Sequence, residues 1–263
     1  MTERKTVLVT GASGGIGYEL AKIFAANGFD LVLVARQKDK LEKLAAEFRS
    51  QGVSARVLAK DLSRPASPKE IFEEISNASV SIDILVNNAG VGVYGNFADT
   101  DLNRELELLQ LNMVSLTHLT KLFLPGMIRR RSGKILNVAS TAAFQPGPLM
   151  AVYFASKAYV LSFSEAVRNE LKGTGVTLSL LCPGPTESDF QQVAGIDRQI
   201  KLFKLSMMNA QSVAQTAYEG LMKNKGLIVP GFVNKVGIFS LRLSPRPLTT
   251  AIVRYLQEGK RQK

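Results

Sequence analysis

Apolar residues fall into short, nearly unbroken runs: TVLVTG (6–11), DLVLVAR (30–36), ARVLAKDL (55–62), IDILVNNAG (82–90), KILNVAS (134–140) and VTLSLLCPG (176–184). Strict alternation would mark a sheet with one wet face. Continuous runs of this length predict strands buried on both faces of a parallel sheet. Helix-like stretches separate them, over residues 15–27, 37–50, 68–77, 102–131 and 152–172. The fourth is expected to break near Pro125, and the last to stop at Gly173. Strand and helix alternating in this way predict an α/β fold, a doubly wound parallel sheet with helices on both faces.

Nothing along residues 1–263 looks like a repeat, a low-complexity tract or a linker, so a single domain is expected. The alternation weakens after residue 184. Segment 186–210 is irregular and carries Phe190, Val193, Ile196, Ile200, Leu202, Phe203, Leu205, Met207 and Met208. It is expected to cover a ligand crevice, although core or a dimer contact would suit the same residues. Residues 231–263 make a basic C-terminal extension. Within it, 245–257 reads as a short amphipathic helix with Leu248, Ile252, Tyr255 and Leu256 on or near one face.

Composition adds limits. The 263 residues are 46% hydrophobic and 21% charged, which suits a globular domain and not a disordered chain. Cys182 is the one cysteine, so no internal disulfide forms, as suits a reducing compartment. The N-terminus has no signal-peptide apolar region, and no run is long enough for a membrane helix. A cytoplasmic protein is expected. The net charge is +11, and residues 230–263 hold seven basic side chains and one acid. That excess reads either as a solvated end or as peripheral contact with an anionic membrane surface. Nucleic acid is not an expected partner, because no aromatic-interleaved basic patch occurs. His118 is the only histidine, flanked by apolar residues with no cysteine near, so it reads as a packing residue and no metal site is expected.

TGASGGIG, residues 10–17, leaves the first strand and opens the first helix. Gly11, Gly15 and Gly17 allow a tight turn, close approach to a pyrophosphate and close helix–strand packing, with Ser13 and Ile16 between them. No Gly-Lys-Ser/Thr ending follows, so a dinucleotide is favoured over a nucleoside triphosphate. The second strand ends in Ala35 and Arg36, where an NAD site would want a carboxylate for the ribose 2′-hydroxyl. A guanidinium there suits a 2′-phosphate, with Lys38 and Lys40 nearby, so NADP(H) is the expected cofactor. Arg36 could also simply begin a solvated helix. KDL (60–62) and NNAG (87–90) also sit at strand ends, where the crevice of such sheets lies. Asp61, with Leu62, would reach an adenine. Asn88, with Ala89 and Gly90, would line the crevice. Either polar residue could instead be a turn former.

Ser140 ends the fifth run, and Tyr153 and Lys157 stand one helical turn apart in VYFASKAYV. A free phenol titrates near pH 10 and is a poor proton carrier at neutral pH. A neighbouring ammonium would favour the phenolate and make Tyr153 usable.

These residues together resemble the short-chain dehydrogenase/reductase family, whose fold is of the Rossmann type. Thr10, Gly11, Gly15 and Gly17 match its glycine motif; Asn87, Asn88, Ala89 and Gly90 match its Asn-Asn-Ala-Gly; Asn112 in LQLNMVSLT matches its helical asparagine. Ser140 matches its serine, Tyr153 and Lys157 its Tyr-x-x-x-Lys, and Pro183 and Gly184 its Pro-Gly. The resemblance runs from residue 10 to about 190 in the family's order. It implies that Tyr153 is the general acid when a ketone is reduced and that Ser140 binds the carbonyl oxygen. Lys157 would also hold the nicotinamide ribose, and Asn112 would anchor a water chain. Ser188 aligns with the hydroxyl residue that touches the nicotinamide carboxamide. The C-terminus departs from the family's glycine- and aspartate-rich last strand, so a homodimer through the helices of Asn112 and Tyr153 is expected over a tetramer.

The expected function is therefore NADPH-dependent reduction of a ketone, or oxidation of a secondary alcohol, with an apolar, lipid-like substrate. A non-catalytic dinucleotide sensor, or a peripheral membrane protein served by its tail, are the competing readings.

Overall fold

The computed structural model describes residues 4–196 and 207–258. Seven strands form one sheet: β1 (Thr6–Thr10), β2 (Asp30–Ala35), β3 (Ala55–Ala59), β4 (Ile84–Asn87), β5 (Gly133–Val138), β6 (Val176–Leu181) and β7 (Leu227–Ile228). Their order is β3-β2-β1-β4-β5-β6-β7, and every neighbouring pair is parallel. The chain winds outward from β1 through β2 to β3, then returns to place β4 on the other side of β1. The crossovers diverge there, opening a crevice at the carboxyl ends of β1 and β4.

Helices cover both faces. On one, α1 (Gly15–Ala26), α2 (Lys38–Ser50) and α8 (Ala210–Met222) bury Leu20, Phe24, Leu41, Phe48, Val213 and Leu221 against Val7, Val9, Leu31 and Leu33. On the other, α3 (Ser67–Asn77), α5 (Leu116–Arg129) and the end of α6 (Ala151–Glu170) meet Leu8, Val32, Leu85, Ile135 and Leu178 through Ile71, Ile75, Leu119, Phe123 and Leu171. Successive strand residues point to opposite faces, so β1, β2 and β4 need apolar side chains through their centres. β3 differs: Arg56 and Ala59 are exposed, as suits a strand at the edge of the sheet.

The predicted strands overran. β3 stops at Ala59, β4 at Asn87 and β5 at Val138, so Asp61, Asn88 and Ser140 lie just past the sheet. The long helix breaks elsewhere than at Pro125. It runs as α4 (Leu102–Leu109), then a π-helical turn over Gln110–Ser115, then α5, which passes through Pro125. Pro125 and Lys121 are both exposed, so the Lys121 carbonyl that loses its donor faces water. The π-turn buries Asn112 and Ser115.

After β6 come a short helix, α7 (Phe190–Val193), then α8, β7, α9 (Phe232–Leu241) and α10 (Arg246–Gln257). The amphipathic helix expected at 245–257 is α10. Of the predicted covering segment, Ile200, Leu202, Phe203 and Leu205 lie outside the described residues, as do Lys260, Arg261 and Lys263 of the basic extension. Among the described residues no helix is long and apolar enough to cross a membrane.

Candidate active site

A cavity of about 380 Å³ opens at the carboxyl ends of β1 and β4. One end is built by the glycine turn. Gly11 and Gly15 have φ of +67° and +54°, a region that favours glycine. A side chain at Gly17 would collide with the Asn88 amide and the Gly11 carbonyl, so α1 packs closely against the turn. Thr10 and Asn88 lock this corner. Thr10 Oγ1 donates to Val86 O at 3.1 Å and accepts from the backbone of Asn88 and Ala89 at 2.9 and 3.0 Å. Asn88 Nδ2 donates to Thr10 O at 2.9 Å.

The first turn of α1 begins at Gly14 with no side-chain cap and contains no acidic residue. Its first N–H groups are left for an anion, and the helix dipole favours negative charge there. Gly11, Ser13, Gly15 and Ile16 line the cavity beside it. Arg36 lies exposed on the same wall, and Asp61 and Leu62 follow at the end of β3. Asp61 also holds its own turn, with Oδ1 accepting from Ser63 N at 3.0 Å and Ser63 Oγ at 2.8 Å. Lys40 is exposed and stands 3.9 Å from Asp189, which also lines the cavity. Glycine turn, open helix end and guanidinium thus fit an anionic dinucleotide.

The other end carries the groups able to move a proton. Lys157 is 5% exposed, and its Nζ donates to Val138 O at 3.0 Å. It stands 5.8 Å from the centre of the Tyr153 ring. Burial pushes the Lys157 ammonium down to about 8. Burial likewise pushes the Tyr153 phenol up to about 12, while a hydrogen bond from Ser140 draws it partly back. Desolvation is the larger cause, so the protein alone does not lower the phenol as the Tyr153–Lys157 spacing suggests; Tyr153 is half-buried and faces the cavity, whereas Lys157 is buried. Ser140 Oγ also accepts from Ala142 N at 3.1 Å, starting the single 3₁₀ turn Thr141–Phe144.

Asn112 does not line the cavity. It is buried behind Gly90, with Oδ1 accepting from Val91 N at 3.0 Å and Nδ2 donating to Val91 O at 3.0 Å and Ser156 Oγ at 3.1 Å. Ser156 Oγ donates to Tyr153 O at 2.7 Å. The π-turn thus ties the loop after β4 to the helix of Tyr153 and Lys157.

Ala89, Gly90, Pro183 and Ser188 line the cavity; Gly17 and Gly184 do not. Gly184 lies under Asn234 of α9, where a Cβ would come within 2.7 Å of that amide. Sequence reasoning missed Tyr94, Met150, Phe154 and Gln257, all of which line the cavity near Tyr153. Tyr94 Oη donates to Gln257 O at 2.7 Å and so pins the end of α10 to the site. No local motif marks them, since their meeting depends on tertiary packing.

Comparison with known proteins agrees with this geometry. The profile of the short chain dehydrogenase family matches residues 5–199. A ketoacyl reductase of Nostoc sp. is 32% identical over 221 residues, 84% of this chain and 76% of its own. A very-long-chain 3-oxoacyl-CoA reductase of Anas platyrhynchos is 36% identical over 183 residues, 67% of this chain and 58% of its own. The solved structure of a short-chain dehydrogenase from Sphingobium yanoikuyae in complex with NADPH superposes with a TM-score of 0.82 at 32% identity, covering 98% of this chain and 99% of that one. A family match over most of the domain, and a fold shared over nearly the whole chain, leave one conclusion: this protein belongs to the short-chain dehydrogenase/reductase family of oxidoreductases that bind a nicotinamide dinucleotide.

Proposed function

We propose that the protein is an NADPH-dependent carbonyl reductase acting on an apolar, lipid-like ketone. The observation that carries the reading is one cavity with two unlike ends, Arg36 at the first and Ser140, Tyr153 and Lys157 at the second. Arg36 offers a planar donor fork for the 2′-phosphate where an NAD site would hold a carboxylate. The turn from Gly11 to Gly17 and the open end of α1 would hold the pyrophosphate. Asp61 and Leu62 would border the adenine. Asn88, Ala89, Gly90, Pro183 and Ser188 would line the rest of the cofactor's course.

NADPH, when bound, supplies the hydride that reduces the carbonyl carbon. The chain supplies position and the proton. Ser140 Oγ and the Tyr153 phenol converge on the carbonyl oxygen, and Tyr153 releases its proton to that oxygen as negative charge develops. A phenol raised to about 12 by burial is protonated at neutral pH and has its proton available to the carbonyl oxygen. Lys157, fixed by Val138 O, keeps a positive charge next to the phenolate that remains. Asn112 acts behind this pair by holding the loop of Val91 and the helix of Tyr153 in register.

The substrate end is apolar. Tyr94, Ala142, Met150, Phe154, Phe190, Ile196 and Val253 pack there around Tyr153. Two of the relatives carry the names of reductases of ketoacyl compounds, which supports a lipid-like ketone. Leu102, Leu106 and Val114 are exposed on α4 and the π-turn, which supports a homodimer through this region and α6.

The test is titration with NADPH and NADH, followed by NADPH consumption over 2-ketones of rising chain length, with Tyr153→Phe as control. Expected are tighter NADPH binding, turnover that rises with chain length, and a loss of about 10²–10⁴-fold in Tyr153→Phe. Tight binding without turnover of any ketone would support the sensor reading in its place. Preference for NADH would overturn the role given to Arg36.

A further inference from the structure

We infer that the outer face of α9 is a docking surface for an anionic lipid bilayer. Helical residues advance about 100° each, so Phe232, Val236, Phe239 and Leu243 fall within about 60° of one another. They continue one stripe past the C-terminal end of α9, and all are solvent-exposed: 79%, 51%, 62% and 77%, with Val233 beside them at 72%. The opposite face holds the helix to the protein. Ile238 is buried, α9 packs on the 3₁₀ turn that follows Ser140, and Asn234 covers Gly184. The stripe is therefore not an unfinished core face. It is the side turned away from the core, where polar residues are the rule.

Charge identifies the occupant. Between Glu219 and Glu258 the sequence holds no acid, while Lys223, Lys225, Lys235, Arg242, Arg246 and Arg254 fall in the same interval. Lys235 and Arg242 are exposed and flank one side of the stripe. An apolar stripe with cations along one edge matches lipid tails beneath anionic headgroups. A second copy of the chain fits less well. A two-fold contact would set Lys235 and Arg242 against their own kind, with no carboxylate on α9 itself to separate them. α9 also has only ten residues, too short for a stable paired-helix seam on its own.

The surface lies close to the site. Thr249 and Val253 on the inner face of α10 are buried, and Val253 joins the apolar group around Tyr153. The outer face of α10 continues the pattern, with Leu248 and Ile252 exposed. The inference does not require the reductase reading, since it concerns binding alone.

The experiment is co-sedimentation of the full chain with phosphatidylcholine vesicles, with and without about a third phosphatidylserine. Three proteins are compared: the native chain, the double variant Phe232→Ser/Phe239→Ser, and the double variant Lys235→Glu/Arg242→Glu. All four positions are exposed, and NADPH titration with circular dichroism checks that each variant is folded. The native chain is expected to bind anionic vesicles and to be released by salt. Each variant is expected to bind at least about tenfold more weakly. Equal sedimentation of all three, or no native binding to anionic vesicles, would overturn the inference. So would light scattering that finds a native oligomer lost in the Phe232→Ser/Phe239→Ser variant, which would assign the stripe to a second copy.

Discussion

The Asn112 side-chain amide donates to Ser156 Oγ at 3.1 Å, and through Ser156 a residue of the π-turn reaches the helix that carries Tyr153. The same amide spans Val91 on both its N–H and its carbonyl. Three hydrogen bonds of one buried side chain therefore set the spacing between the loop after β4 and α6.

Asn112→Ala is expected to leave these partners unmatched. Each lost buried hydrogen bond costs about 1 kcal/mol, so the chain should lose about 2–3 kcal/mol of stability. Turnover should fall at least about tenfold through misplacement of Tyr153 and Lys157, while NADPH affinity at the Arg36 end changes little. Urea unfolding, kcat and cofactor titration on one preparation would check this. A fall in NADPH affinity as large as the fall in kcat would contradict the division of the cavity into two ends.

Arg36→Ala tests the other end. A charge-assisted contact to a phosphate contributes about 1.5–3 kcal/mol, so NADPH should bind about 10–100-fold more weakly. NADH, which lacks the 2′-phosphate, should bind as before. Because Arg36 is exposed, thermal stability should be unchanged, which separates a binding role from a structural one. Equal losses for both cofactors would refute the assignment.

Residues that act through the local chain were legible in the sequence. The unbroken apolar runs gave the parallel sheet because strands buried on both faces admit few polar residues. The glycine turn, Ser140, Tyr153 and Lys157 were legible because their chemistry depends on short spacings. Features decided by tertiary packing were not. The π-turn at Gln110–Ser115 replaced the break expected at Pro125, because a proline on a wet face loses little, whereas turning Asn112 inward needs an extra residue in the helix. The direction of the Tyr153 shift was not legible for a related reason: it is governed by desolvation, which a four-residue spacing does not show.

Lys157 carries a cost that its removal should expose. Its proton affinity falls from 10.5 to about 8 on folding. Between those values the unfolded chain holds a proton that the folded chain has released, so stability rises with pH across this window. Below about 8 the full penalty of the buried ammonium applies, about 3 kcal/mol at 1.36 kcal/mol per pH unit. Lys157→Met removes the penalty but also the donor to Val138 O, worth about 1 kcal/mol. The variant should be about 2 kcal/mol more stable than the native chain at pH 7, and the difference should vanish or reverse above pH 10.5. It should reduce no ketone. Urea unfolding at several pH values would measure this, and a variant less stable at pH 7 would show that Lys157 supports the fold.

Gln257 gives the last prediction. It is 2% exposed on the inner face of α10, and neither Nε2 nor Oε1 has a hydrogen-bond partner among the described residues. A buried amide in that state costs about 1–3 kcal/mol relative to an apolar side chain of similar size. The anchoring bond at this position uses the Gln257 backbone carbonyl, to Tyr94 Oη, so a change of side chain leaves it intact. Gln257→Leu should therefore raise the unfolding free energy by about 1 kcal/mol and the melting temperature by about 2–4 °C. Calorimetry would register the shift. A lower melting temperature would mean that the amide is satisfied in solution, by water held in the wall of the cavity beside Tyr94, and that the polar group belongs to the hydration of the site.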